Sequence, residues 1–144
     1  MNRASIVEHA IDPSALIAAV SADDKGAVSV FLGTVRDTND GREVASLKYS
    51  AYQEMAQAEM EKILAEIAEQ FGVLSAVIEH RVGALEIGEV SVGIAVSHEH
   101  RAPAMAATSY AIEELKRRVP IWKEEEHTDG TKDWVDPTAI GATR

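Results

Sequence analysis

Apolar and polar positions along the chain follow helical and strand-like patterns that divide the sequence into alternating elements. Apolar residues recur at steps of three and four over residues 55–71 and 102–119, which predicts two amphipathic helices. Asp12-Pro13 predicts a third, shorter helix through Val20, because Asp is a common N-cap and Pro fits the first helical turn. The sequence therefore predicts three helices.

Runs rich in β-branched and aromatic residues predict a set of short strands. These cover residues 5–8, 27–35, 44–52, 73–82, 89–97, 121–126 and 132–135. We expect residues 27–35 and 44–52 to pair through the turn cluster Asn39-Asp40-Gly41, and the last two strands to form a terminal hairpin. Because no repeat or linker interrupts the pattern, residues 1–144 are expected to form one domain around one core, of the α+β class with a mainly antiparallel sheet.

Composition narrows the functional classes. A chain of 144 residues with 46% hydrophobic residues can bury an ordinary core, and 26% charged residues is typical of globular proteins. No apolar run approaches the roughly 20 residues that span a bilayer, and the first ten residues do not resemble a signal peptide, so we expect a cytoplasmic protein. The absence of cysteine excludes disulfides, thiolate metal sites and a cysteine nucleophile in this chain.

The charge balance bears on the partners of the protein. A formal net charge of -10 disfavours binding to nucleic acid or to anionic membranes. Any anionic ligand must therefore be held by a local cluster of basic side chains.

The first candidate segment is Phe31-Leu32-Gly33-Thr34-Val35-Arg36, a predicted strand that ends in an arginine before a polar loop. Gly33 weakens a strand interior unless a ligand or another backbone approaches closely, so it hints at a contact. A surface arginine and a glycine that serves packing are the alternative, and this segment alone leaves both open.

The second candidate segment is Ser97-His98-Glu99-His100-Arg101, at the junction of a predicted strand and helix. Its two histidines could share a metal, but no further His or Cys offers a persuasive third and fourth ligand. His100 and Arg101 precede a helix N-terminus, where free N–H groups and the helix dipole favour an anion. We therefore expect a phosphate or carboxylate here and no metal.

The third candidate segment is the basic run from Lys116 to Lys123. Cations in the last turn of a helix also complement its dipole, so the run by itself requires no ligand. Lys116 follows Ile112 by four residues and lies beside the apolar stripe, where partial burial would lower its pKa towards a catalytic range. Lys123, on the following strand, can point back to the same place. The adjoining Glu124-Glu125-Glu126 is predicted to be a solvated edge.

Arg101 and Lys116 cannot easily touch one small ligand within one chain. They lie fifteen residues apart on one predicted helix, which separates their backbones by about 22 Å. If both serve one site, they must come from different subunits of a symmetric dimer.

Taken together, these segments resemble the catalytic large subunit of molybdopterin synthase. The matching pieces, whose order and spacing agree over residues 26–135, are Phe31-x-Gly33-x-Val35-Arg36, His100-Arg101, Lys116, Pro120-x-Trp122-Lys123 and Trp134-Val135. The resemblance implies an α+β fold with a hammerhead-like subdomain, a homodimer, and a heterotetramer with two copies of a small ubiquitin-like sulfur carrier.

The resemblance also implies a reaction, that of a sulfurtransferase in molybdenum cofactor biosynthesis with no cofactor of its own. The C-terminal Gly-Gly thiocarboxylate of the carrier enters the pocket, and two sulfurs are moved in turn onto cyclic pyranopterin monophosphate, which gives the dithiolene of molybdopterin. The missing cysteine is consistent with this, since sulfur arrives on the partner.

Carried over residue by residue, the resemblance implies substrate or catalytic roles for Arg36, His100, Arg101, Lys116 and Lys123. Lys116 is the expected general acid/base or transient acyl acceptor, with Lys123 as its electrostatic partner, and each ammonium is expected to depress the pKa of the other. Arg36, with His100-Arg101 from the neighbouring subunit, is expected to hold the phosphate and pterin. The expected substrate-binding set is completed by Thr34, Val35, Glu124 and Glu125.

Two rival functions share the predicted fold, so the fold cannot separate them. One is a non-catalytic α+β dimer that binds an anionic metabolite, and the other is a structural dimerisation module. An anion sensor could accept Arg in place of Lys116 or Lys123, whereas proton transfer requires Lys.

Overall fold

The computed structural model describes residues 2–72 and 74–135, and this part of the chain forms three helices and nine strands. In chain order the elements are β1 (Asn2–Val7), α1 (Pro13–Val20), β2 (Ala27–Thr34), β3 (Thr38–Asn39), β4 (Arg42–Ala51), α2 (Gln53–Phe71), β5 (Leu74–Arg81), β6 (Gly83–Glu86), β7 (Val90–His98), α3 (Arg101–Arg118), β8 (Ile121–His127) and β9 (Lys132–Val135). The predicted α+β class is confirmed. The strands β3 and β6 were not predicted from the sequence.

The first sheet has the strand order β1-β5-β7-β2. Its β1 and β5 run parallel, while the β5–β7 and β2–β7 pairs are antiparallel. The predicted pairing of residues 27–35 with 44–52 is wrong, because β2 pairs with β7 and β4 belongs to another sheet. The tight turn that suggested this pairing closes the short β3–β4 hairpin instead, so it does not bring β2 and β4 together.

The second sheet has the order β3-β4-β8-β9, and β6 also pairs with β4. The predicted terminal hairpin is confirmed as β8 and β9, with Glu124 opposite Trp134. In the β4–β8 pair, Tyr49 lies opposite Lys123 and Leu47 lies opposite Glu125. This register places the first half of β8 beside the last residues of β4, 48–51.

Helices cover both faces of the first sheet, so the expected single core is two clusters of unequal size. The larger cluster joins α2 and α3 to the face that carries Ile78 and Ile94. The smaller one joins α1 to Val77 and Ala95, which are neighbours of those residues in sequence and therefore point to the opposite face. Gly93 allows α1 to pack closely on the sheet, since a Cβ there would lie 2.5 Å from Cδ1 of Leu16.

Arg118, in the last turn of α3, ties that helix to α2. Its guanidinium donates to Glu66 at 2.8 Å through both Nη atoms and to Glu59 at 3.0 Å through Nε. A further bond at 3.1 Å reaches Glu114 on α3 itself. The end of α3 that carries Lys116 is thereby fixed against the rest of the fold.

Two expectations from the sequence concern membrane-spanning segments and the extent of the domain. No helix in the described part of the chain is long and apolar enough to cross a membrane. The expected domain of residues 1–144 includes Met1 and residues 136–144, which lie outside the described residues. Val73, the first residue of the predicted strand over 73–82, also lies outside them. The extent of the domain therefore stays a prediction.

Candidate functional site

A cavity of about 270 Å³ opens where the end of β2 meets both the second sheet and the last turns of α3. The residues that line it are Phe31, Leu32, Gly33, Thr34, Arg36, Thr38, Asn39, Val44, Leu47, Tyr49, Ser91, Lys116, Lys123 and Glu125. Five of the residues that the sequence analysis selected are among them, on three separate parts of the chain. The tertiary fold thus brings the first and third candidate segments together.

An irregularity at the end of β2 shapes one wall of this cavity. The register between β2 and β7 shifts between Gly33 and Thr34, so that Thr34 lies opposite Val90 and Ser91 is left without a partner on β2. Such bulges bend a strand and re-aim the side chains beyond it. Gly33 is needed for packing, because a Cβ would lie 2.7 Å from Cγ1 of Val92.

Three cationic side chains converge on the cavity from different elements. Arg36 follows β2, Lys116 lies in the last turn of α3, and Lys123 lies on β8. Glu125 is the one carboxylate among the described lining residues. The cavity is therefore electropositive in a chain whose formal net charge is -10.

Glu125 is buried, so the predicted solvated edge over Glu124-Glu125-Glu126 is wrong at its middle residue. Only 3% of Glu125 is exposed, and its Oε2 lies 3.3 Å from Nζ of Lys123. The physical reason is that side chains alternate between the two faces of β8, so residues 123 and 125 point to the same face. Glu124 occupies the other face of β8, opposite Trp134, and does not line the cavity.

Asn39 is a lining residue that the sequence analysis assigned only to a turn. The turn itself is Asp40-Gly41, whose φ angles of 51° and 78° are those of a two-residue hairpin loop of the I′ type. Asn39 therefore ends β3, opposite Arg42, with its side chain buried. Its Oδ1 accepts from Nη2 of Arg36 at 3.3 Å, and its Nδ2 donates to Oε2 of Glu125 at 2.5 Å.

The wall behind the cations is a buried polar layer. Tyr49 is hydrogen bonded to Ser91, whose Oγ also donates to the carbonyl of Gly33 at 3.2 Å. Burial raises the pKa of Tyr49, and the nearby Glu125 carboxylate adds to the increase. The ring of Tyr49 packs edge-on against His80, with centroids 5.1 Å apart.

His80 lies behind this wall and stays neutral at ordinary pH. Burial lowers its pKa to about 4, and the positive charge of Lys116 contributes to the decrease. Its Nδ1 lies 2.9 Å from the carbonyl of Arg81, which fits a neutral ring with the proton on Nδ1. The positive charge of Lys116 therefore acts on a neutral imidazole.

Besides Glu124, three of the residues selected from the sequence do not line the cavity. Val35 is buried in the larger core cluster, and its N–H and C=O bond to Glu89 and Gly88. His100 and Arg101 are exposed at the start of α3, and His100 donates its backbone N–H to Nδ1 of His98 at 3.0 Å. Within one chain, the second candidate segment lies apart from the other two.

The donor chemistry of the described residues offers no metal centre. No group of three or more His, Asp or Glu side chains in residues 2–72 and 74–135 is arranged to hold an ion. What the cavity can do is bind anions through Arg36, Lys116 and Lys123 and move a proton at a lysine amine.

Comparison with known proteins identifies a family that this chain matches. The model of the MoaE protein family matches residues 6–118. The chain is 45% identical over 120 residues to the molybdopterin synthase catalytic subunit of Pyrococcus abyssi, which covers 83% of this chain and 80% of that one. It is 43% identical over 135 residues to the Bacillus subtilis subunit of the same name, covering 94% and 85% of the two chains.

Solved structures agree with the sequence comparison. A chain from the crystal structure of molybdopterin synthase from Staphylococcus aureus superposes with a TM-score of 0.85 at 39% identity, covering 90% of this chain and 93% of that one. A complex of subunits 1 and 2 of molybdopterin-converting factor from Helicobacter pylori contains a chain with the same fold, at a TM-score of 0.73 and 22% identity over 91% and 88% of the two chains.

Proposed function

The chain belongs to the MoaE protein family, and from this premise we infer that it is the catalytic subunit of a molybdopterin synthase, a sulfurtransferase of molybdenum cofactor biosynthesis. Its partners are a second copy of itself and a small sulfur-carrier protein that ends in a Gly-Gly thiocarboxylate. Its small-molecule substrate is cyclic pyranopterin monophosphate. A chain without cysteine is suited to the cytoplasm, where we expect it to act as a single domain.

The observation that carries this proposal is the convergence of Arg36, Lys116 and Lys123 on one cavity. The phosphate of the substrate and the thiocarboxylate of the carrier are both anions. Fixed cations stabilise such groups, and they also stabilise the negative charge that develops while sulfur leaves the acyl carbon. The positive cavity in an acidic protein fits a reaction in which both reactants are negatively charged.

The three cations take different roles in this proposal. Lys116 is the proton donor and acceptor at the reacting atoms, because its amine lines the cavity and can exchange a proton, which the Arg36 guanidinium cannot. Lys123 is oriented by Glu125 and stabilises the thiocarboxylate. Arg36 is exposed at the cavity mouth, where its planar guanidinium suits a phosphate.

His100 and Arg101 reach the site from the partner subunit in this proposal. β2 is an end strand of its sheet, and one face of it carries the exposed apolar side chains of Val28, Val30 and Leu32. An end strand with such a stripe is suited to pairing with another strand, and a second copy of β2 is the partner that a two-fold axis supplies.

The geometry of β2 explains why this pairing would complete the site. The strand starts beside His98, close to the first residue of α3, and ends at the cavity. It rises about 23 Å over its seven steps, which matches the separation of about 22 Å between Arg101 and Lys116 along α3. Antiparallel pairing of two β2 strands would therefore bring Arg101 of the partner subunit to the cavity.

A reconstituted reaction tests the catalytic role. The protein is mixed with thiocarboxylated carrier and cyclic pyranopterin monophosphate, and molybdopterin formation is measured. We expect Lys116→Arg to retain substrate binding and to lose turnover by on the order of 100-fold, because Arg keeps the charge but cannot exchange a proton. Lys48→Arg, on an exposed position of β4 outside the cavity, is the matched control and should behave as wild type.

Near wild-type turnover of Lys116→Arg would remove Lys116 from proton transfer and leave it only a role in binding an anion. Wild-type protein that forms no 2:2 complex with the carrier by light scattering, and no molybdopterin, would contradict the function as a whole.

A complementation experiment tests the shared site. Arg101→Ala and Lys116→Ala are each expected to be inactive as homodimers. Co-expressed, they form mixed dimers in which one of the two cavities has both wild-type residues, so roughly a quarter of wild-type activity should return. Absence of any recovery, with mixed dimers shown by mass spectrometry, would show that Arg101 of one subunit does not complete the Lys116 cavity of the other.

A further inference from the structure

We propose that Asn39 is a positioning residue of this active site, which holds the Arg36 guanidinium and the Glu125–Lys123 ion pair in fixed relative places before substrate binds. This inference rests on the function proposed above. It assigns a role to a residue outside the motifs of the candidate segments, at the end of the two-residue strand β3.

The contacts of Asn39 form an unbroken chain between two of the three cations. Arg36 donates to Oδ1 of Asn39, and Nδ2 of Asn39 donates to Oε2 of Glu125. The same carboxylate oxygen lies 3.3 Å from Nζ of Lys123, whose side chain is 13% exposed. One amide thus connects the exposed arginine at the mouth to the largely enclosed lysine on the floor of the cavity.

The chemistry of this position favours an amide. The guanidinium requires an acceptor and the carboxylate requires a donor, and the two ends of an Asn side chain supply one of each without adding a charge. The opposite orientation of the amide would set donor against donor and oxygen against carboxylate. Asn39 is 8% exposed, so both ends of its side chain depend on these partners rather than on water.

The hairpin explains how so short a strand can orient a side chain. The Asp40-Gly41 turn is of a type that needs positive φ at both positions, and it fixes Asn39 opposite Arg42. Arg42 is in turn tied to Asp133 on β9 at 2.6 Å. The backbone of Asn39 is therefore held by the tight turn and by its pairing with Arg42, which is itself attached to β9.

Asn39→Asp distinguishes a positioning role from a purely structural one, since it keeps the shape and changes the charge. The new carboxylate, when ionised, would face that of Glu125, and two adjacent carboxylates titrate as a pair that retains one proton to higher pH. With that proton, the introduced acid can still donate to Glu125 and accept from Arg36. The titratable groups around this pair are Arg36, Lys123, Lys116 and Tyr49, with His127 3.9 Å from the other oxygen of Glu125.

The experiment measures kcat and KM in the reconstituted reaction for wild type, Asn39→Asp and Asn39→Ala between pH 5.5 and 8.5. We expect Asn39→Ala to lose 10- to 100-fold in kcat/KM at every pH, as is usual when a group that orients a binding residue is removed. For Asn39→Asp we expect a loss of at least about 10-fold at pH 8.5 that shrinks as the pH falls towards 5.5. Asp40→Asn, which alters the same hairpin outside the cavity, should remain within about twofold of wild type.

The outcomes separate this inference from the proposed function. Asn39 does not position the cations if wild type is active and the kcat/KM of Asn39→Ala stays within twofold of it. The same conclusion follows if the kcat/KM of Asn39→Asp relative to wild type does not change with pH. If Asn39→Ala does not fold, the pH dependence of Asn39→Asp decides alone. If wild type itself makes no molybdopterin, the proposed function fails before Asn39 is tested.

Discussion

The Arg118 contacts between α2 and α3 allow a prediction of how stability depends on pH. Glu66 accepts hydrogen bonds from two nitrogens of Arg118 and, at 2.6 Å, from the hydroxyl of Tyr110. These bonds lower the pKa of Glu66 from 4.5 to about 2, and those from Arg118 have the larger effect. We expect Glu66→Gln to remove this charge-dependent stabilisation and leave the local shape nearly unchanged.

The size of the effect follows from the pKa shift. The full shift would correspond to about 3 kcal/mol at 1.36 kcal/mol per pH unit. About a third of the Glu66 side chain is exposed, with a value of 32%, and solvent screening reduces the contribution to about 1–2 kcal/mol. Because the folded pKa is the lower one, this stability is complete above pH 4.5 and is lost as the pH falls towards 2.

Urea unfolding of both proteins at pH 7, 5, 4 and 3 measures the difference in the free energy of unfolding. We expect wild type to exceed Glu66→Gln by about 1–2 kcal/mol at pH 7 and 5, with the gap closing below pH 4.5. Glu69→Gln, on an exposed position of the same helix, is the control and should show no gap at any pH. A gap for Glu66→Gln that is the same at pH 7 and pH 3 would show that charge is not its cause.

Two further predictions concern the packing of the first sheet and the pH dependence of its buried histidine. Gly93→Ala should lower the free energy of unfolding by about 1–3 kcal/mol in urea titrations, because its Cβ would crowd Leu16 at 2.5 Å and Ile11 at 3.1 Å; unchanged stability would mean that α1 shifts freely. Burial lowers the pKa of His80 from 6.5 to about 4. The unfolded chain therefore binds a proton that the folded one does not, and the free energy of unfolding of wild type should fall by up to about 3 kcal/mol between pH 6.5 and pH 4. The free energy of unfolding of His80→Asn should depend less on pH over that range. Equal pH dependence of the two proteins would show that a buried neutral His80 is not the cause.

Local chemistry explains why much of the secondary structure was predictable. Asp12 caps α1 by accepting from the N–H of Ser14 at 3.0 Å, and α1 ends at Val20 as the sequence indicated. Pro120 follows the end of α3, since proline cannot continue the backbone hydrogen bonds. The strand over residues 132–135 has the predicted bounds. These features depend on residues a few positions apart, and their geometry is set within the segment.

The candidate site was predictable only in part. The residues of the first and third segments were selected from their sequence, but their arrangement around one cavity was not derivable from spacing. Asn39 was missed because its neighbours Asp40 and Gly41 dominate the turn signal, and the one-residue difference between turn and strand is invisible to composition. Glu125 was misassigned because three consecutive glutamates suggest a solvated run, although strand alternation was a signal for the inward side chain.

The sequence by itself determined the helices, most of the strands, the acidic balance and the set of basic residues from which a site could be built. Only the tertiary structure decided that β2 pairs with β7, that β1 runs parallel to β5, and that Glu125 is buried beside Lys123. The physical reason is the range of the interactions. Capping, turns and periodicity are satisfied by neighbours in the chain, whereas strand pairing and the burial of a charge depend on partners tens of residues away, which only the folded chain brings into contact.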